Sequence, residues 1–298
     1  MDADIRRLGN ALIGEIFLAL GFSKTGIAFR TFGWLFRKAA DRLSTLFVTV
    51  DRMMVSDGFP EATAWMLPHW CHTVTGRGAE TIPHTGPLLV ISNHAGTYDS
   101  FIISSLIGRN DLKIIASDVP FLKNLPNTST HLIYLSDDVE DRMTAARLGM
   151  RHLKSGGALL LFGTGLIDPD PAVYPDADAW IAKWLPSIDL FLRAVPDAQV
   201  VLSIVSGVVA KPWAHHPITW LKRIDWQKRR LAEFSQVLQQ LFFPGSLFLD
   251  PCISFSSPVR MEELRLESSS DRVLPAVIAR GQALLADHVA WAQTVQRK

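Results

Sequence analysis

The chain has 298 residues, of which 48% are hydrophobic and 20% charged, and its formal net charge is +1. This composition excludes global disorder, and the length leaves room for one large α/β domain or for a domain with a helical appendage. The charge balance does not favour a nucleic-acid partner, since the chain has no arginine-rich tract and no alternation of aromatic and basic residues.

Residues 1–72 are predicted to form an N-terminal amphipathic helical segment. Its apolar residues recur at helix-like spacing and are Leu12, Ile16, Leu20, Phe32, Leu35 and Phe36. No run reaches the roughly 18 apolar residues that cross a bilayer, because Glu15 interrupts residues 8–22, and Asp2 and Asp4 make a secretory signal a poor match. The mean hydropathy of +0.17 is nevertheless high for a soluble protein. We therefore expect a chain that lies on a membrane without crossing it.

Residues 73–298 are predicted to form an α/β domain, because short apolar runs alternate with amphipathic segments. The predicted strands are 88–92, 112–116, 132–135, 158–162, 200–204 and 252–255. A helix is predicted over residues 141–154, capped by Asp137 or Asp138 and ended by Gly156 and Gly157. Its predicted apolar face is Met143, Ala146, Met150 and Leu153. This alternation favours a largely parallel sheet covered on both faces, with ligand chemistry at the carboxyl ends of the strands.

A segment rich in tryptophan and basic residues precedes the last predicted strand. Its apolar residues are spaced as in a helix and are Trp220, Leu221, Ile224, Leu231, Phe234, Leu238 and Leu241. Tryptophan combined with lysine and arginine on one amphipathic helix suits the lipid headgroup layer. A helix packed on the sheet with a solvated basic face is equally compatible with this pattern. The sequence also leaves open whether residues 1–72 dock on a membrane or on the α/β domain.

No metal site or organic cofactor is predicted. The two cysteines, Cys71 and Cys252, are far apart and belong to no CxxC pair, which favours a reducing compartment over a disulfide framework. His215 and His216 lack the recurring spacing of zinc ligands. The acidic stretch with Asp168, Asp170, Asp176 and Asp178 lacks the spacing of an EF-hand loop and is expected to be a solvated loop.

His94 and Asp99 form the candidate catalytic pair. His94 follows the predicted strand 88–92, and Asp99 comes five residues later at the start of a predicted helix, with the small residues Ala95 and Gly96 between them. A carboxylate bonded to one imidazole nitrogen makes the other nitrogen a better base. The chain has no G-x-S-x-G motif, so the pattern favours direct attack by an acceptor hydroxyl. The spacing alone is equally compatible with a surface histidine beside a helix-capping aspartate.

Several blocks in a fixed order extend this pair into a longer pattern. They are residues 74–76, Glu80, residues 82–83, residues 86–94 with Asp99, residues 120–126, residues 131–135, residues 156–162, residues 200–204, residues 253–255 and Pro258. In content and order they resemble the glycerolipid acyltransferase superfamily, whose members include lysophosphatidate and glycerol-3-phosphate acyltransferases and carry an H-x4-D motif. The resemblance covers about residues 73–290.

The resemblance implies a glycerol-3-phosphate acyltransferase-like α/β fold and an enzyme that transfers a fatty acyl group from acyl-CoA or acyl-carrier protein to a hydroxyl of a lipid or lipid precursor. It implies His94 as the general base and Asp99 as the residue that orients it. The residues expected to bind substrate are Asn93, Gly96, Lys123, Gly163, Thr164 and Gly165. Gly163 and Gly165 would offer backbone N–H groups to an anion, although a tight turn is the simpler interpretation. The expected location is the cytoplasmic face of a membrane, as a peripheral protein.

Two departures from the family pattern concern the acceptor. The family has an arginine where this chain continues with residues 136–138, and a Pro-Glu-Gly-Thr-Arg run where this chain has residues 163–168. An arginine fork grips phosphate through two hydrogen bonds, so its loss favours a neutral or zwitterionic acceptor unless Lys113, Lys123 or Arg142 replaces the charge. The alternatives are an inactive lipid-binding protein on the same fold and, less in keeping with the pattern, a thioester hydrolase.

Overall fold

The computed structural model describes residues 3–19, 33–136, 138–268 and 271–295. Leu20 and Phe32 of the predicted N-terminal pattern, and Asp137, one of the two predicted capping residues, lie outside these ranges. Within them, one mixed sheet is flanked by helices. The predicted α/β class, with a mostly parallel central sheet and helices at the N-terminus, is confirmed.

The described part of the chain contributes eight strands to this sheet, in the order β1-β7-β6-β2-β5-β3-β4, with β8 also paired to β6. The strands are β1 (Thr75–Arg77), β2 (Leu88–Ser92), β3 (Lys113–Ser117), β4 (Leu132–Leu135), β5 (Ala158–Phe162), β6 (Gln199–Ser206), β7 (Cys252–Phe255) and β8 (Val259–Arg260). β6 runs antiparallel to β7 and β8, whereas the other paired strands are parallel. All six predicted strands are confirmed, four of them with the predicted bounds. β1 and β8 were not predicted, because neither contains an apolar run.

The helices connect these strands. They are α1 (Ala3–Ala19), α2 (Arg37–Ser56), α3 (Phe59–Met66), α4 (Asp99–Ile107), α5 (Pro120–Lys123), α6 (Pro126–Thr130), α7 (Val139–Lys154), α8 (Ala177–Ile181), α9 (Ser187–Ala194), α10 (Lys211–Ala214), α11 (Asp225–Phe242), α12 (Met261–Glu267) and α13 (Leu274–Val295). Short 3₁₀ helices lie at Gly33–Phe36, Leu67–His69, Ala79–Thr81 and Pro217–Leu221. Among the described helices, none combines the length and the apolar character needed to span a bilayer.

Two hydrophobic cores lie on opposite faces of the sheet, because side chains alternate along its strands. In β2, Leu88 and Val90 belong to the core that contains side chains of α2, α3 and α4, whereas Leu89 and Ile91 belong to the core under α7, α9 and α13. Every residue of β2 and β5 is buried. Both faces of these central strands are therefore covered, as expected for parallel strands.

The N-terminal helices pack on the rest of the chain. α2 and α3 contribute Ala39, Val50 and Phe59 to the first core, together with residues of the strands. α1 packs on α2 through a separate cluster that also includes Phe121 and Leu125. The described helices before residue 72 therefore lie against the α/β domain, and whether this segment also contacts a membrane stays a prediction.

The predicted apolar face of α7 was partly wrong. Asp138 caps the helix by accepting hydrogen bonds from the backbone N–H groups of Glu140 and Asp141, as predicted. The buried residues, however, are Ala145, Gly149 and Leu153, while Met143 is 56% exposed. A Cβ on Gly149 would lie 2.8 Å from Phe191 Cε1, so only glycine allows the helix to approach this closely. The prediction used the positions of apolar side chains and ignored glycine. It therefore placed the buried face partly on the wrong side of the helix.

The tryptophan-rich segment is divided between two structures. The helix α11 begins only at Asp225 and packs inward, with Leu231 and Leu241 buried, as in the alternative of a helix packed on the sheet. Trp220 and Leu221 lie before it, in the 3₁₀ helix, and are exposed. The prediction of one continuous apolar stripe over residues 220–241 was therefore wrong. The buried face of α11 also carries polar residues, which are Arg229, Glu233, Ser235, Gln236 and Gln240.

Candidate functional site

The candidate site lies where three neighbouring parallel strands end. β2 is hydrogen-bonded to β5 on one side and to β6 on the other, all three in the same direction. The loops that follow them begin at Asn93, Gly163 and Gly207. Chemistry in open α/β sheets is expected at this carboxyl edge. The edge brings together the loop with His94 and the loop with Thr164 and Asp168.

His94 and Asp99 form the predicted pair. The Nδ1 atom of His94 lies 2.9 Å from Asp99 Oδ2. The Asp99 carboxylate is fully buried, whereas the His94 side chain is 28% exposed. The imidazole stacks on the Phe162 ring at a centroid distance of 4.2 Å, which fixes its plane. Nε2 makes no hydrogen bond within the described part of the chain, so the nitrogen opposite the carboxylate is available to a substrate.

The loop between the two residues is shaped to hold this contact. Asp99 is the first residue of α4, where the helix dipole favours a carboxylate, and its Oδ2 also accepts the Gly96 N–H at 3.1 Å. Gly96 is in close contact with the helix α11, since a Cβ there would lie 3.0 Å from Glu233 Oε1. A larger residue at position 96 would have to displace the Glu233 side chain or the loop.

A second loop holds His94 from its backbone side. The Asp168 carboxylate accepts the His94 backbone N–H at 2.9 Å and the Thr164 hydroxyl at 2.6 Å. The Asp168 N–H in turn donates to the His94 carbonyl at 2.6 Å. Thr164 and Asp168 therefore position the loop that carries His94.

The expectation of a solvated acidic loop was wrong for Asp168 and Asp170. Both side chains are buried, whereas Asp176 and Asp178 are exposed. The Asp170 carboxylate accepts the N–H groups of Gly207, Val208 and Val209, which joins this loop to the end of β6. Sequence composition does not reveal this role, because the partners are backbone groups of a distant segment.

The helix α11 contributes two charged residues that the sequence did not indicate. Glu233 is buried, and its Oε1 accepts the backbone N–H of Thr97, which lies in the loop between His94 and Asp99. Arg229, one turn earlier, is also buried. Its Nε donates to the Ile167 carbonyl at 3.3 Å, and its guanidinium lies 4.2 Å from the centroid of the Trp180 ring. Arg229 and Glu233 are four residues apart and so share one face of the helix, which is the only sign of them in the sequence. That spacing does not show whether the shared face is buried or solvated.

The charges around His94 determine how readily it is protonated. Burial opposes its charged form, but the Asp99 charge and hydrogen bond, with smaller contributions from Glu233 and Asp168, outweigh burial and raise the pKa of His94 to about 9. Burial raises the pKa of Asp168 to about 6 and that of Glu233 to about 7. The site thus combines one strongly basic imidazole with two carboxyl groups that ionise less readily than usual.

Several residues that were expected to bind substrate are engaged elsewhere. The Asn93 side chain bonds to both the N–H and the carbonyl of Val205, at 2.8 and 2.9 Å, and so ties β2 to β6. Lys123 pairs with Asp118 at 2.7 Å and makes no contact with His94 among the described residues. Lys113 is the first residue of β3, so it lies at the end of the sheet opposite to the carboxyl ends of the strands.

The backbone N–H groups of Gly163 and Gly165, in the turn after β5, are used in hydrogen bonds within the chain. The Gly163 N–H donates to the Ser92 carbonyl at 2.8 Å, and the Gly165 N–H donates to the Phe162 carbonyl at 3.1 Å. These two N–H groups are therefore not free to bind an anion, which agrees with the simpler interpretation of a tight turn. Gly163 also packs on Trp184, and the Leu185 N–H donates to its carbonyl at 2.8 Å.

Comparisons with known proteins give a distant structural likeness. No protein-family model matches the chain, and no curated protein matches it. Among solved structures, it is similar to the 1-acyl-sn-glycerophosphate (LPA) acyltransferase PlsC from Thermotoga maritima. The identity is 16%, the match covers 97% of this chain and 98% of that chain, and the TM-score is 0.45. A likeness this distant carries no argument about activity or substrate, so a function has to be argued from the site.

Proposed function

We propose that this chain is an acyltransferase that moves a fatty acyl group from an acyl thioester to a hydroxyl of a lipid or lipid-precursor acceptor. In this proposal His94 is the general base and Asp99 orients it. The supporting observation is the 2.9 Å contact between His94 Nδ1 and the fully buried Asp99, which leaves Nε2 without a protein partner in the described residues. The resemblance of the blocks around this pair to glycerolipid acyltransferases supports the same reaction.

The reaction requires only that His94 begin neutral. Asp99 accepts a hydrogen bond from Nδ1–H, which fixes the tautomer and leaves a lone pair on Nε2. Nε2 takes the proton from the acceptor hydroxyl as its oxygen attacks the thioester carbonyl carbon. When the carbon–sulfur bond breaks, the leaving thiolate takes the proton from Nε2. The products are an ester and a free thiol, and His94 is neutral again.

The proposed donor is acyl-CoA or acyl-carrier protein, and the proposed location is the cytoplasmic face of a membrane. A solvated acidic loop beside the site would repel a phosphate-bearing acceptor, but two of the four acidic residues of this loop are buried. Asp168 and Asp170 are directed into the protein, where backbone and hydroxyl groups satisfy them. Arg229 also brings a cation next to this loop. Phosphate-bearing and zwitterionic acceptors therefore both belong in the substrate panel.

The test is release of thiol from palmitoyl-CoA, and in parallel from palmitoyl-carrier protein, with and without each lipid acceptor. We expect release that depends on one class of acceptor. His94→Ala should lower the rate by roughly 10²–10⁴-fold, because a positioned general base typically contributes that much. Asp99→Asn should also lower it, since the amide keeps the shape of the side chain but removes the charge that holds the imidazole.

The matched control is His84→Ala, which removes an exposed histidine outside the site. Its rate should equal that of the unmodified chain. Undiminished transfer in His94→Ala would overturn the proposal. Thiol release without an acceptor, giving free fatty acid, would indicate a hydrolase. Lipid binding without thiol release from either donor would instead support an inactive lipid-binding protein.

A further inference from the structure

Three large apolar side chains are exposed within five consecutive residues just before the helix α11. Trp220 is 78% exposed, Leu221 77% and Ile224 52%. Trp220 and Leu221 end the 3₁₀ helix Pro217–Leu221, which is held in place by the buried Thr219. The exposed side chains therefore project from an ordered support.

The same part of the chain is strongly basic. Residues 211–230 contain six basic residues and one acidic residue, Asp225, although the whole chain has a net charge of only +1. Lys222 and Arg223 lie between the exposed apolar residues, and Arg223 is exposed. Asp225 already pairs with Lys228 at 2.9 Å, so it does not neutralise Lys222 or Arg223. Apolar side chains interleaved with cations that have no acidic partner among the described residues are complementary to an anionic lipid surface, where tryptophan prefers the headgroup layer.

The exposed residues also lie near the candidate site. Ile224 immediately precedes α11. Glu233, nine residues later, contacts Thr97 in the loop between His94 and Asp99. At about 1.5 Å per helical residue, Ile224 and Glu233 are roughly 14 Å apart along the helix. That distance is comparable to half the roughly 30 Å hydrocarbon thickness of a bilayer. Residues 220–224 are therefore within about the thickness of one leaflet, along α11, of the residue that contacts the loop between His94 and Asp99.

We infer that residues 217–224 form the surface by which this protein docks on anionic lipid bilayers, with Trp220, Leu221 and Ile224 in the headgroup layer and Lys222 and Arg223 on the lipid phosphates. The occupant is a lipid surface because the proposed function, on which this inference rests, needs one. The assignment differs from a docking role for the N-terminal helices, since α1 and α2 bury apolar residues against each other and against Phe121.

The experiment is co-sedimentation of the full chain with vesicles of phosphatidylcholine, either alone or with about 30 mol% phosphatidylglycerol. The second composition supplies the anionic headgroups that attract basic segments. The full chain should bind the anionic vesicles more tightly than the phosphatidylcholine vesicles, and high salt should reduce this difference. The double variant Trp220→Ala/Leu221→Ala should weaken binding at least about tenfold on both compositions. Lys222→Glu/Arg223→Glu should weaken it by about that factor on the anionic vesicles only. Because the altered residues are exposed or half-buried, both variants are expected to fold.

Two control variants remove the same chemistry elsewhere. Leu266→Ala removes another exposed leucine, and Arg151→Glu/Lys154→Glu reverses two exposed charges on α7. Both should bind as the unmodified chain does. His94→Ala should also bind normally, which separates failure of this inference from failure of the proposed reaction. Trp34 is another exposed tryptophan, in the 3₁₀ helix Gly33–Phe36. The inference is overturned if the residue 220–223 variants bind normally, if Trp34→Ala abolishes binding instead, or if the chain binds no vesicles.

Discussion

His94 has to be neutral before it can accept a proton, yet its surroundings favour the imidazolium. Asp99, Glu233 and Asp168 together raise its pKa to about 9 despite burial. At pH 7 only about one molecule in a hundred would then hold the base form. We expect kcat/KM for acyl transfer to rise about tenfold per pH unit from pH 6.5 and to level off near pH 9, because this profile reports the free enzyme's essential base.

Glu233→Gln tests where that pKa comes from. The amide can still accept the Thr97 N–H but removes a negative charge that raises the pKa of His94. Since the pKa of Glu233 is about 7, the carboxylate is charged over most of the range in which His94 titrates. The variant's profile should level off at a pH lower by about one unit, with transfer at neutral pH increased. The measurement is the pH dependence of kcat/KM, corrected for thioester hydrolysis without enzyme. A lower plateau with an unmoved midpoint would instead mean that Glu233 acts only through the fold.

At the scale of elements, the junction between β5 and α9 depends on Gly163. A Cβ at this position would lie 2.3 Å from Trp184 Cδ1, and Trp184 is buried. Gly163→Ala should therefore lower the free energy of unfolding by about 1–3 kcal/mol, the usual cost of overpacking a core. The measurement is urea unfolding followed by circular dichroism.

Gly33→Ala is the matched control for Gly163→Ala. Among the described residues, its Cβ would meet only Ile13 Cγ2, at an ordinary contact distance of 3.6 Å. That substitution should be neutral or stabilise by up to about 1 kcal/mol, because alanine restricts the unfolded chain. If Gly163→Ala were as stable as the unmodified chain and lost only activity, the turn would act on substrate and not on packing.

The strands and the contact between His94 and Asp99 could be predicted from sequence because both are local. Each buried strand is a continuous apolar run, and His94 and Asp99 lie five residues apart across a single strand–helix junction. Glu233 could not be predicted, because its contact with Thr97 joins residues 136 positions apart. The buried face of α7 was misplaced because Gly149, which has no side chain, forms its centre. Sequence patterns identify apolar side chains well, but they do not reveal close backbone approach or the burial of a charge.

At the scale of the whole molecule, His288 fastens the C-terminal helix α13 to the sheet. It is fully buried, and its two ring nitrogens lie 2.8 Å from the hydroxyls of Ser254 in β7 and Ser206 in β6. Burial, with a smaller contribution from Arg77, lowers the pKa of His288 to about 4. The folded protein therefore resists a proton that the unfolded chain accepts near pH 6.5, so this residue's contribution to stability is fully present above that pH and is lost as the pH falls towards 4.

Other buried groups act in the opposite direction, so the effect has to be isolated by difference. Asp168 and Glu233 have raised pKa values, and their ionisation destabilises the fold as the pH rises through the same range. Subtracting the free energy of unfolding of His288→Gln from that of the unmodified chain cancels these contributions. This difference should fall by about 2 kcal/mol between pH 7.5 and pH 5, measured by urea unfolding at each pH. The control is His84→Gln, which removes an exposed histidine. Its difference in the free energy of unfolding from the unmodified chain should barely change with pH. A pH-independent difference for His288→Gln would mean that the folded chain accommodates a charged His288 at no cost in stability.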